Sequence, residues 1–271
     1  MWIDLRIYID LSSLQMDILI HNKLAWDRQV ALGNEWTVPV SPEEIASARI
    51  GEFNILLTPC KPVPKEWFPQ LIGSRVLGLA CVGGQQSSIL AAAGANVTVF
   101  DNSPKQLEQD QLVANREGLE ITTIEGDMAN LSVFANAIFD LIFHPVSNVF
   151  VPNVRPVWNE CARVLKRGGI LLAGFMNPVY LALDLALEEQ GKLELRYPLP
   201  YSDLTSLARE ELDQRIASGE ALEFGHTLED QIGGQVAAGL MITGFYEDDW
   251  KPKRPISRIM NSFIATRAVK V

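Results

Sequence analysis

RVLGLACVGGQQSSILAAAGANVTVFD, residues 75–101, decides how this chain folds. Val76–Ala80 is an apolar run of strand length, and small residues follow it at Gly83 and Gly84. Ser88–Ala93 lies in a helix that Gly94 closes. Val97–Phe100 is a second apolar, β-branched run, ending on Asp101. Strand, tight turn, helix and a second strand ending on an acid make half of a mononucleotide-binding unit. In such a unit the turn faces the polar part of an adenosine-containing ligand, and the acid reaches ribose hydroxyls.

The same alternation continues outward. Ser103-Pro104 opens a helix that runs to Gly118. Ile121–Ile124, Leu141–Phe143 and Ile170–Gly174 read as strands, and a helix from about Arg155 to Lys166 should end at Gly168-Gly169. Short apolar strands alternating with helices predict a parallel sheet covered on both faces, with right-handed crossovers. Upstream, residues 22–33 read as an amphipathic helix with Leu24, Trp26 and Val30 among its apolar positions, and Ser41-Pro-Glu-Glu44 is a helix-start signal. Downstream, residues about 178–190 read as helical and Tyr197–Tyr201 as irregular. A helix follows with Leu204, Leu207, Ala208, Leu212 and Ile216 on one face, and another starts at Thr227 with Asp230 in the capping-box position. Met241–Phe245 and Phe263–Val269 read as strands that pair antiparallel through their loop.

The expected fold class is therefore α/β: a doubly wound, mostly parallel seven-stranded sheet with an antiparallel C-terminal strand. The expected organisation is a helical lead-in over 1–70, a ligand-binding core over 71–176, a lid or substrate insertion over 177–236, and C-terminal strands over 237–271. Residues 1–15 precede a second methionine, Met16, and are either an extension or a short element packed on the core.

Composition narrows the function. Hydrophobic residues make up 48% of the 271, which excludes a disordered chain. A net charge of −10 opposes nucleic acid as a partner, and the one basic cluster, Lys251, Lys253 and Arg254, reads as a solvated loop. Asp4, Arg6, Asp10 and Asp17 interrupt the apolar N-terminal run, which argues against a signal peptide or membrane span. Cys60, Cys81 and Cys161 are scattered and show no zinc spacing, so no metal is expected and a cytoplasmic location is.

Two ligand types use such a turn. Gly78-Leu-Ala80-Cys-Val-Gly83 meets the dinucleotide pattern only with alanine replacing the middle glycine, and the second half of the chain does not repeat the unit. Five segments in order, VLGLACVGG (76–84), VFDNSPKQLEQ (99–109), IEGDM (124–128), FDLIFHPVSN (139–148) and LKRGGILLAGF (165–175), resemble the class I S-adenosylmethionine-dependent methyltransferases. The resemblance implies a Rossmann-like methyltransferase fold, S-adenosyl-L-methionine as cofactor and a small-molecule acceptor. It implies that the turn, with Gly78, Ala80, Gly83, Gly84 and Gln85, faces the methionine part of the cofactor. Asp101 with Asn102 would bind the ribose, Asp127 the adenine amino group, and Met128 would pack on the ring. His144, after the fourth strand, would line the crevice and is the candidate base for an acceptor that must lose a proton.

The chain also departs from the family. Where the family has acid-x-Gly-x-Gly-x-Gly, it holds Gly78, Ala80, Val82 and Gly84. Ala80 adds one methyl, whereas branched Val82 resists positive φ and close backbone approach. Plainer readings stand beside the functional ones: Asp101 as a helix cap, Asp127 as a turn residue, Cys81 as a buried filler, and His144 as a loop-ordering group. Trp26, Trp36, Tyr197 and Tyr201 either line an acceptor pocket or pack the core and lid. The alternatives to a small-molecule methyltransferase are a degenerate cofactor-binding protein and a nicotinamide-dependent oxidoreductase.

Overall fold

The computed structural model describes residues 17–81, 83–250 and 254–271. The N-terminal run through Met16, Val82 of the turn, and Lys251 and Lys253 of the basic cluster lie outside the described residues. Seven strands form one sheet: β1 (Arg75–Leu79), β2 (Asn96–Asp101), β3 (Ile121–Glu125), β4 (Phe139–His144), β5 (Leu165–Met176), β6 (Leu240–Asp248) and β7 (Phe263–Lys270). Their order is β3-β2-β1-β4-β5-β7-β6, parallel from β3 to β5, with β7 antiparallel to both β5 and β6. The expected sheet is present.

Period-two alternation sends successive side chains of each strand to opposite layers. Val76, Val97, Val99, Leu141 and Phe143 pack on one face with Leu90 and Val113. Those two come from helices α3 (Gln86–Ala92) and α4 (Pro104–Glu117). Leu77, Leu79, Ile142 and Leu171 pack on the other face with Val157, Trp158 and Cys161. These three lie on the buried face of α5 (Arg155–Val164). Ligand chemistry belongs where the strand order reverses, beyond the carboxyl ends of β1 and β4.

Before the sheet, α1 (Ile18–Ala31) starts at the Asp17 cap, and Gly33 follows it at φ +67°. Leu24, expected on its apolar face, is 61% exposed, and Asn22 and Ala25 turn inward instead. Helix α2 (Pro42–Arg49) carries the capping box expected of Ser41 and Glu44.

Three helix readings require correction. Helix α5 stops at Val164 because Leu165 is already extended. Gly168, at φ +78°, serves instead in a bulge where the β4–β5 register jumps from Phe139↔Leu165 to Leu141↔Ile170. The segment 178–190 divides into a 3₁₀ turn, Pro178–Ala182, and α6 (Leu185–Glu189), because Asp184 accepts the Leu187 N–H and restarts the helix. The single helix expected around Leu204–Ile216 is two, α7 (Asp203–Ser206) and α8 (Arg209–Ser218). Leu207 and Ala208 are extended between them, and the Glu211 carboxylate accepts the Ala208 N–H at 3.0 Å. At the next expected start, Thr227 and Asp230 bond reciprocally, followed by a wide turn and α9 (Gly234–Ala237).

Helix α4 lies directly against the turn after β1. The Gly83 N–H donates to Gln106 Oε1 at 2.9 Å, and a Cβ at Gly83 would stand 2.3 Å from the Gln106 carbonyl oxygen. Gly83→Ala should therefore lower stability by roughly 1–3 kcal/mol through overpacking. A lower urea midpoint at unchanged slope checks this, and an unchanged midpoint would show that α4 can move away.

Candidate active site

Two adjoining cavities open at the carboxyl edge of the sheet. The narrower, about 70 Å³, is floored by Ala80, Cys81 and Asp101 at the ends of β1 and β2. Asn102, Gly126, Asp127 and Met128 form one side, and Leu19, Asn22 and Trp26 of α1 roof it. Glycine is required at 126, since a Cβ there would meet the Phe100 ring at 2.1 Å.

Asp101 is only 9% exposed, and its Oδ1 accepts the Ser103 N–H at 2.8 Å. Burial pushes its carboxyl up to about 7, against the Ser103 and Asn102 N–H groups that hold it down. Asp27 nearby adds to the rise. The α4 cap itself is Ser103, whose hydroxyl accepts the Gln106 N–H and donates to Asp27. Asp101 thus supports the turn while lining the cavity. Asp127 does likewise, accepting the Ala129 N–H at 2.9 Å.

The turn residues separate into three groups. Ala80 lines the narrow cavity at φ +47°, a left-handed conformation that favours glycine. The backbone demand among the described residues of the turn thus falls on Gly84, at φ +72°, and on Ala80, where glycine would relieve the strain and alanine is not a free replacement. Gly78, Gly83 and Gly84 line neither cavity. They serve close packing: a Cβ on Gly78 would meet Ser87 Oγ at 2.4 Å, and Gly84 donates its N–H to the buried Asp110 at 3.0 Å. Burial raises the Asp110 carboxyl well above the usual carboxylate range. Gln85 lines the wider cavity and donates to the Val38 carbonyl at 2.7 Å. Cys81 borders the narrow cavity with its thiol raised by burial and directed at the Phe143 carbonyl, as a filler would be.

His144 is fully buried and lines neither cavity. Its Nδ1–H donates to the Leu79 carbonyl at 2.8 Å, and Nε2 lies 2.6 Å from the Asn148 carboxamide. Burial lowers its pKa, against the Leu79 and Asn148 contacts, which favour the charged ring. Its neighbours Pro145, Val146 and Ser147 are the ones that reach the narrow cavity.

The wider cavity, about 500 Å³, shares Trp26, Pro145, Val146 and Phe150 with the narrower one. Trp36, Trp250, Phe263 and Met176 line it further, as do Arg215, Glu220 and Glu223 near α8. Of the four aromatic residues singled out from sequence, Trp26 and Trp36 are here. Tyr197 and Tyr201 pack on each other elsewhere, with ring centroids 5.3 Å apart. Sequence reasoning missed Asn22, which is 2% exposed on an apparently amphipathic helix. It donates to the Phe150 and Leu222 carbonyls and accepts the Leu222 N–H, joining α1 to segments far along the chain. Among the described residues, no group of three or more His, Cys, Asp or Glu is placed to hold a metal.

The strand order and a crevice with an acid at the end of β2 define the class I S-adenosylmethionine-dependent methyltransferases, and the chain belongs to that family. Residues 77–173 match a methyltransferase domain model. A Bacillus subtilis (strain 168) protein described as the uncharacterized methyltransferase YbaJ is 52% identical over 254 residues, 94% of this chain and 99% of that one. Among solved structures, a S-adenosylmethionine-dependent methyltransferase from Mesorhizobium loti superposes with TM-score 0.59 at 18% identity, over 76% of this chain and 95% of that one. A putative one from Listeria monocytogenes gives TM-score 0.58 at 15% identity, over 83% and 99%. The chain is thus a S-adenosylmethionine-dependent methyltransferase.

The raised carboxyl of Asp101 sets a pH dependence. Unfolded, the group titrates near 3.8; folded, near 7, so the folded state binds its proton more tightly. The stability this contributes is complete below 3.8 and is lost as pH rises toward 7. Asp101→Asn should therefore gain roughly 2–3 kcal/mol on the wild type between pH 5 and pH 8, measured by urea unfolding without ligand. Parallel pH curves for the two proteins would contradict the burial argument.

Proposed function

We propose that the enzyme binds S-adenosylmethionine with its adenosine in the narrow cavity and methylates a small-molecule acceptor held in the wider one. The observation that carries this reading is the buried Asp101 carboxyl in a largely apolar recess at the sheet's switch point. The donor set fits the cofactor: Asp101, Asn102 and Asp127 suit hydroxyls and an exocyclic amine, while Phe100, Met128 and Val151 suit a flat ring.

In this reading Asp101 and Asn102 hold the ribose, Asp127 accepts from the adenine amino group, and Met128 packs on the ring. Ala80, Cys81 and Gln85 face the methionine end, while Gly78, Gly83 and Gly84 shape the turn behind them. The cofactor supplies a methyl group already activated on a sulfonium. What the chain adds is alignment of the acceptor and exclusion of water, which can supply on the order of 7–11 kcal/mol. Trp26 and Phe150, packed edge to face at 5.2 Å, line both cavities and so border the junction where cofactor and acceptor would meet. His144 acts as a positioning residue, ordering the loop that carries Pro145 and Val146 to the junction. The core over 71–176 does the cofactor binding, and α1 with the 177–236 segment encloses the acceptor.

At about 500 Å³ the wider cavity is within the range of small-molecule sites, roughly 300–1,000 Å³. Among the described residues no helix is long and apolar enough to cross a membrane. With its scattered cysteines, that supports placing the enzyme in the cytoplasm. Calorimetric titration with S-adenosylhomocysteine should show one site per chain. Asp101→Ala should weaken it more than about tenfold, since the ribose hydroxyls lose their carboxyl partner. An unchanged dissociation constant would reduce Asp101 to a turn-supporting group.

A further inference from the structure

Among the described residues, the charged ones on the wall of the wider cavity are Glu44, Arg215, Glu220 and Glu223. Arg215 is already engaged. Its guanidinium lies 3.1 Å from the fully buried Asp203 carboxylate, 3.4 Å from Glu223 and 3.9 Å from Glu220. Asp203 is held in turn by the Tyr201 hydroxyl at 2.6 Å and the Glu223 N–H at 2.7 Å. One cation thus serves three carboxyl groups, and the wall keeps an excess of negative charge. Burial and the neighbouring acids push the Glu223 carboxyl up to about 7 in spite of Arg215, the state of an acid short of positive partners.

A separate feature also calls for a donor. Gln86, on the same wall, is 7% exposed, and its Oε1 has no hydrogen-bond partner among the described residues. The remaining lining is aromatic: Trp36 and Trp250 approach at 6.2 Å, and Trp26 meets Phe150. Aromatic faces attract cations as well as flat apolar bodies. Among the described residues of the wall, an anionic acceptor would find Arg215 as counter-ion, already occupied.

We propose that the wider cavity recognises a ring-bearing amine, its flat body among the tryptophans and its protonated nitrogen toward Glu220 and Glu223. This inference rests on the reading of that cavity as the acceptor chamber. The cofactor also carries an ammonium, so the test saturates the full chain with S-adenosylhomocysteine before probing the remaining space. Three probes of one shape, phenethylamine, 2-phenylethanol and 3-phenylpropionate, are titrated by calorimetry with and without S-adenosylhomocysteine.

The expected result is that the amine binds at least about tenfold more tightly than the alcohol and the carboxylate binds weakest, as expected for a charged contact sheltered from water. Glu223→Gln should reduce that preference severalfold, and Glu220→Gln provides a second reading should the first variant fold poorly. Equal affinities, a preference for the carboxylate, or an amine preference untouched by both substitutions would overturn the proposal. Failure of S-adenosylhomocysteine to bind would strike the cofactor reading instead, and the amine series without it still decides this one.

Discussion

The hydrogen bond from the His144 ring to the Leu79 carbonyl holds the ends of β1 and β4 together where the sheet divides. Beyond that point the two chains must separate, β1 into the turn that reaches Asp101's neighbourhood and β4 into the Pro145–Asn148 loop. The crevice exists because they diverge, and the histidine sets how far. From Asn148 a buried polar chain continues to Gln231 at 3.1 Å, then through Gln235 to Thr266 on β7. His226 also donates to the Asn148 carbonyl at 2.9 Å. A network satisfied at each of these links specifies one arrangement of the elements it joins, because any broken link leaves a buried polar group without a partner.

The second constraint comes from above the sheet. Asn22 places its carboxamide between Phe150, after β4, and Leu222, within the insertion. His21, one residue earlier on α1, donates its ring N–H to the Glu220 carbonyl at 2.8 Å. The N-terminal helix and the insertion are therefore joined at the rim of both cavities. That joint removes Asp101 from water and encloses the wider chamber beside it. The same burial that raises the Asp101 carboxyl makes it a strong partner for hydroxyl groups arriving in a dry site.

The parallel sheet and its site-bearing strand ends were legible because local patterns and global fold agree there. Apolar runs of strand length, Ser103 before Pro104 and the capping box at Ser41 each speak for themselves. Asp101 followed from its place at a strand end, and Ala80, Asn102, Asp127 and Met128 from the family resemblance; the five do meet around one cavity. What could not be read depends on contacts between distant segments. Gly83 answers to helix α4, Asn22 to Leu222, and Gly168 to a register jump against β4. The helix breaks at Leu183 and Leu207–Ala208 turn on caps from Asp184 and Glu211, acids that a helical pattern absorbs without trace. His144 looked functional because it follows a central strand at the crevice and imidazole titrates near neutrality, yet its burial and partners appear only in three dimensions.

The central claim is that the cofactor lies across the carboxyl ends of β1, β2 and β3 beneath α1. Amide hydrogen exchange with and without saturating S-adenosylhomocysteine tests it most directly. The account predicts slowed exchange over residues 79–86, 100–103 and 126–129 and in α1, with no change at the opposite ends of β2 and β3, around Asn96 and Ile121. Protection absent from those segments, or centred on the amino ends of the strands, would contradict it.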